Sequence, residues 1–135
     1  MSRLLLQTNI LGEHSLWLVS RQGVVLRSKR FIHEHHGADQ VLAEIVRVTK
    51  GAKLSGILVV RGPGPFTAIR AALVIANTLA WIKNIPVMGI VRTKKIDPEK
   101  IPQTVWARAT TYQQPVRPWY GRQPNITRPK KNLKR

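Results

Sequence analysis

Cysteine is absent from this 135-residue chain, which excludes a disulfide framework, thiolate metal ligation and redox chemistry at sulfur, and fits a reducing compartment. Acidic side chains are scarce: 6 Asp and Glu stand against 23 Lys and Arg, a formal net charge of +17. Such a balance favours polyanionic partners, nucleic acid ahead of a membrane surface. Long apolar runs are missing as well. The opening MSRLLLQTNILGEHSLWLVS turns polar at Gln7, Thr8 and Asn9 and has no small-residue cleavage site, so it does not read as a signal peptide. Ala71 to Ile82 contains Asn77 and falls short of the roughly 20 residues that span a bilayer. A cytoplasmic protein without membrane association is expected.

Chemistry-bearing clusters are also few. Ser15, Ser20, Ser28 and Ser55 lack a Gly-x-Ser-x-Gly context, and the scarcity of carboxylates leaves them without partners, so no catalytic constellation is expected. His33, Glu34, His35 and His36 suggest metal ligation, with His33 and His35 able to share a strand face. Only His14 remains among the histidines, no second cluster completes a coordination shell, and a solvated loop accounts for the run. Neither a metal nor a cofactor is expected.

What is present is enough for one core: 43% apolar content over this length predicts a single domain. Composition changes near Arg92. Residues 1–91 carry 11 basic and 4 acidic side chains, and residues 92–135 carry 12 basic ones against Asp97 and Glu99. Six of the nine prolines also fall after residue 91. Each removes a backbone donor and disfavours helix before it, so residues 92–135 read as an extended, flexible basic tail on a 1–91 α/β domain.

Before residue 92, strand and helix patterns alternate. Leu4 to Thr8, His14 to Ser20 and Gly23 to Phe31 read as three strands of an antiparallel meander. Val41, Leu42, Ile45, Val46 and Val48 follow helical spacing over Ala38 to Lys50, with Gly51 placed to stop the helix. Leu54 to Val60 reads as a buried strand, Pro65 to Asn84 as a long helix and Pro86 to Val91 as a last strand, giving the order β-β-β-α-β-α-β. In that long helix Ala68, Ala72, Ala76 and Ala80 recur every fourth residue, a ridge of small side chains that lets another helix approach closely. The turn before it, Arg61-Gly62-Pro63-Gly64-Pro65, sits where a helix N-terminus can hold an anion. Pro63 and Pro65 have no N–H to donate and no Lys-Ser/Thr pair follows, so a tight structural turn accounts for it better than a phosphate loop.

Arg61-Gly62-Pro63-Gly64-Pro65-Phe66-Thr67-Ala68-Ile69-Arg70 resembles the RGPGSFTGLR motif of the TsaB family. Ala76-Asn77-Thr78-Leu79-Ala80 and Ile85-Pro86-Val87-Met88-Gly89-Ile90 are similar in order and spacing to that family's A-x-G-L-A and I-P-V-V-G-V stretches. Leu4-Leu5-Leu6-Gln7-Thr8 resembles its opening strand, and His36 stands near its histidine before the first helix. The resemblance covers roughly residues 3–91 and implies an actin-like ATPase (ribonuclease H-like) half-domain. It further implies a non-catalytic scaffold in the machinery that makes threonylcarbamoyladenosine next to the tRNA anticodon. In that machinery TsaB pairs through its helices with the catalytic subunit TsaD, the ATPase TsaE stands alongside, and TsaC supplies the activated threonylcarbamoyl group. The expected partners are therefore a TsaD-like subunit and a TsaE-like ATPase, with a homodimer through the same helices as the alternative. The implied pairing surface comprises Arg61, Gly62, Pro63, Gly64, Phe66, Thr67 and Arg70 with the ridge Ala68, Ala72, Ala76 and Ala80. Three departures oppose nucleotide hydrolysis: Gln7 stands where the family commonly has Asp, Pro65 replaces a Ser, and the second half of the family fold is missing.

The tail supports a reading of its own. Arg108, Arg117, Arg122, Arg128, Lys130, Lys131, Lys134 and Arg135 are interleaved with Trp106, Tyr112, Trp119 and Tyr120, so cations can meet phosphates while rings stack on unpaired bases. The expectation is that the tail holds tRNA, against a bland alternative of a solubilising tail. A free-standing RNA-binding protein is the competing function.

Overall fold

Apolar and β-branched runs interrupted by two tight turns make the first third of the chain a meander of three strands, β1 (Ser2–Ile10), β2 (Glu13–Ser20) and β3 (Val25–Ile32). The computed structural model describes residues 1–10, 12–32, 37–107 and 115–119. Helix α1 (Gly37–Thr49) ends at Gly51, which adopts φ 76° as a left-handed stop. Strand β4 (Leu54–Gly62), helix α2 (Phe66–Lys83) and strand β5 (Val87–Val91) follow. Asn84 closes α2 in the left-handed conformation, and the Ile85 N–H donates to the Ala80 carbonyl at 3.0 Å. The order β-β-β-α-β-α-β is the one expected from the sequence.

The five strands form one sheet in the order β3-β2-β1-β4-β5. The meander pairs are antiparallel, whereas β1–β4 and β4–β5 are parallel, because a helix carries the chain back over the sheet before each of the last two strands. Register places Leu4 opposite Leu18 and Ile57, and Leu6 opposite Leu16 and Val59, so one face is continuous aliphatic surface. Val41, Ile45 and Val48 of α1 and Ile69, Ala72, Leu73, Ala76 and Ala80 of α2 close over it.

The opposite face carries Leu5, Trp17, Val19, Leu58, Val60 and Ile90, and it too is covered. The cover comes from residues that the sequence reading placed in a flexible tail. A 3-10 turn (Pro98–Lys100) and a short helix α3 (Gln103–Ala107) bring Ile96, Ile101 and Trp106 onto this face, each under 10% exposed. The boundary at residue 92 is thus corrected for residues 92–107. Proline spacing forbids long helix there but does not prevent an irregular chain from burying three large apolar side chains, and an aliphatic sheet face without a cover is costly in water.

Candidate functional site

The Gly/Pro turn after β4 sits at the carboxyl end of the parallel strands, where open α/β sheets ordinarily place ligands. Alternation along β1 turns Thr8 toward α2, and its hydroxyl donates to the Ala68 carbonyl at 3.2 Å. Gln7 and Asn9 point to the other side, both buried. The Gln7 Nε2 donates to the Lys94 carbonyl at 2.9 Å and to Asn9 Oδ1 at 3.1 Å, and its Oε1 accepts the Ile96 N–H at 3.0 Å. The Asn9 Nδ2 donates to the carbonyls of Pro63 (2.8 Å) and Arg92 (2.6 Å). The two amides therefore tie β1 to the backbone of residues 92–96 and to the turn, and each is satisfied within the chain.

The turn is closed from the other direction by residues 115–119. The Trp119 N–H donates to the Arg61 carbonyl at 2.8 Å, and Arg61 Nε donates to the Arg117 carbonyl at 2.9 Å. Asn77, inside α2, binds both polar groups of Val116: its Nδ2 donates to the carbonyl (3.0 Å) and its Oδ1 accepts the N–H (2.8 Å). Gly62 (φ 138°) and Gly64 (φ 157°) are needed for this packing. A Cβ on Gly62 would collide with the Trp119 carbonyl oxygen, and one on Gly64 would lie 2.6 Å from the Asn9 carbonyl oxygen.

A magnesium–nucleotide unit of the kind an actin-like ATPase holds does not fit these residues. A neutral amide stands at Gln7 where a carboxylate would face the metal, its polar atoms are taken by the chain's own backbone, and the backbone of Trp119 packs directly onto the turn. This agrees with the departures read from the sequence.

The expected pairing surface divides. Phe66, Thr67 and Arg70 are exposed, Gly64 is exposed, and Arg61 and Pro63 are half-buried. Gly62 is buried, and the ridge of Ala68, Ala72, Ala76 and Ala80 lies wholly in the chain's own core, at 8%, 0%, 0% and 0% exposure. The ridge is therefore corrected as an interface: small side chains are there because α2 must lie close to the sheet and α1. What α2 turns outward is a different set, Phe66, Val74, Trp81 and Ile82, with Trp81 70% exposed. Val74 and Trp81 stand seven residues apart on one line of the helix. Leu42 and Val46, one turn apart on α1, are exposed too. The signal was in the sequence, since α2 is apolar around most of its circumference; periodicity alone did not say which side the core would take.

Of the expected RNA-binding residues, Arg117 and Trp119 are described and exposed, whereas Trp106 is corrected as a stacking ring because it is buried on the second sheet face; Arg108, Tyr112, Tyr120, Arg122, Arg128, Lys130, Lys131, Lys134 and Arg135 lie outside the described residues. The cluster His33, Glu34, His35 and His36 also lies outside them, and among the described residues no group of three metal-ligating side chains forms. By length and composition α2 could cross a bilayer, yet its alanine row is packed on the sheet. The bonds of Asn77 and of the Gln7–Asn9 pair were missed by sequence reasoning. Their trace was three amides, Gln7 in a strand pattern, Asn9 in the turn read after it and Asn77 inside an apolar helix pattern.

Comparison with known proteins adds an independent line. The TsaD family, tRNA N6-adenosine threonylcarbamoyltransferase, matches residues 36–95, which run from α1 through the turn and α2 to just past β5. Among solved structures, YeaZ from Pseudomonas aeruginosa is similar with a TM-score of 0.59 and 25% identity over 67% of this chain. A crystal structure titled as an uncharacterized protein with similarity to peptidase YeaZ, from the same organism, gives the same values. The chain spans 43% of the length of each. No curated protein sequence matches. The described fold is accordingly of the actin-like, ribonuclease H-like α/β class.

Proposed function

We propose that this chain, whose residues 36–95 match the TsaD family and whose fold is similar to YeaZ, is a TsaB-like, non-catalytic scaffold subunit in the formation of threonylcarbamoyladenosine on tRNA. It pairs through α1 and α2 with a TsaD-like catalytic subunit in the cytoplasm, with a TsaE-like ATPase as a further member. The observation that carries this reading is the outward face of α2, where Phe66, Val74, Trp81 and Ile82 are each more than half exposed. Four large apolar side chains exposed on α2, with Leu42 and Val46 exposed on α1, are unfavourable in water, and burial against another helix pair relieves this. Large aromatic side chains at such a face are typical energetic anchors of an interface. The absence of a nucleotide-fitting site at Gln7 supports a structural role over hydrolysis.

The test is co-purification with the TsaD-like protein of the same organism, using the full chain and a Trp81→Glu variant. Trp81 is exposed, so the variant retains the fold. A complex formed by the natural chain and absent with the variant is the expected outcome. Equal recovery of both removes α2 from the interface, and a homodimer that the variant abolishes, with no heteromeric complex, assigns the face to self-association.

A second reading, a free-standing RNA-binding protein, is favoured by one arrangement: Trp119 is 42% exposed and its backbone is bonded to Arg61, beside Arg117. That arrangement holds a stacking ring among cations on the folded domain, rather than on a loose tail. It predicts tight RNA binding by the isolated chain, with or without a protein partner.

A further inference from the structure

At the end of the sheet away from the Gly/Pro turn, the start of β1, the β2–β3 turn, the start of β4 and α3 enclose a cleft of ≈ 290 Å³. Its walls include Arg3, Arg21, Ser55, Gly56 and Trp106. The register fixes this location, since Ser2 pairs with both Ser20 and Leu54. Two guanidinium groups thus face one small space, and among the described residues neither forms an ion pair with a carboxylate. The described carboxylates that form ion pairs are engaged elsewhere, Glu13 with Arg30 and Lys95, and Glu44 with Lys29 and Arg47.

Arg3 is held in place before any ligand arrives. Its guanidinium carbon lies 4.8 Å from the centre of the Trp106 ring, and Nη1 donates to Gln103 Oε1 at 2.9 Å. A guanidinium fixed by stacking and one hydrogen bond keeps its remaining donors aimed, so an anion meets a preorganised fork. Burial lowers the Arg3 pKa from its ordinary value, and the like charge of Arg21 lowers it further. The cationic pair is thus electrostatically unfavourable as it stands, and an anion between the two charges relieves the repulsion.

We infer that the Arg3–Arg21 cleft is a binding site for a phosphate monoester dianion, whose two negative charges match the two guanidiniums and whose three terminal oxygens suit bidentate arginine contacts. The cleft lies apart from the turn after β4 and from the apolar face of α2. The same chemistry has two sources, a free phosphate compound or the terminal phosphate of an RNA strand.

The experiment is isothermal titration of the full chain with inorganic phosphate at constant ionic strength. A parallel comparison uses one short single-stranded RNA bearing either a 5′ phosphate or a 5′ hydroxyl. Phosphate affinity is expected to fall about tenfold or more in Arg21→Ala, to fall less in Arg3→Lys, which keeps the charge but loses the fork, and to hold in Lys50→Ala, a cation outside the cleft. Arg21 is an exposed turn residue, so its removal leaves folding intact. A 5′-phosphate preference that disappears in Arg21→Ala identifies an RNA end as the ligand. Phosphate binding without such a preference identifies a free phosphate compound. No phosphate binding, or equal losses in Arg21→Ala and Lys50→Ala, overturns the site, the second by reducing it to general attraction of a basic surface.

Discussion

At Asn77 a single amide satisfies both polar groups of Val116, as a neighbouring strand would. Replacing it with alanine leaves an N–H and a carbonyl without those partners in a half-buried setting, at a cost of about 1–3 kcal/mol. Asn77→Ala is therefore expected to release residues 115–119 while α2 stays folded, seen as faster amide exchange at Val116 and Trp119 with little change in α2. Unchanged exchange would mean that the Arg61 and Gly62 contacts hold the segment by themselves. Gln7 and Asn9 follow the same logic on the other face, where their amides bind the backbone of residues 92–96.

Among the elements, α2 shows why a small-residue row is ambiguous from sequence. A row spaced every fourth residue permits close packing, but the packing can be internal or external. In α2 it is internal, and Ala76→Trp would overpack the core rather than report on a partner. The segment 92–107 shows the complementary case, where low regularity conceals a packing role. Trp106 is 8% exposed over Leu5, Trp17 and Val19 and stacks on Arg3. Trp106→Ala is expected to lower unfolding free energy by about 3–5 kcal/mol in chemical denaturation, whereas a flexible tail residue would change it by less than about 0.5 kcal/mol.

For the molecule as a whole, a formal charge of +17 makes polyanion binding depend on salt. The informative deletion starts at residue 120, beyond both the second-face cover and the segment bonded to Asn77. If the terminal cations bind tRNA phosphates, their removal flattens the dependence of log affinity on log salt by about 0.7 for each single-strand phosphate they neutralise. Binding that persists in the shortened chain is then carried by the folded domain, where Arg61, Arg117 and Trp119 lie together. An unchanged slope would exclude residues 120–135 from the tRNA interface.

The seven elements before residue 92, their order and the antiparallel meander were determined by the sequence itself, because period-2 and period-3.6 patterns and the stop at Gly51 are local properties of neighbouring residues. The RGPGPFTAIR turn carried the family resemblance for the same reason. Only the tertiary structure decided which side of α2 is buried, since alanines and large apolar residues share its circumference and the sheet selects the side that allows close approach. It alone decided that residues 92–107 belong to the core, because what makes Ile96, Ile101 and Trp106 core residues is the bare aliphatic face they cover, formed by β1 and β2 far earlier in the chain and by β4 and β5. The pairing of Arg3 with Arg21 across one cleft was likewise set by strand register, a long-range property that no local pattern in the chain records.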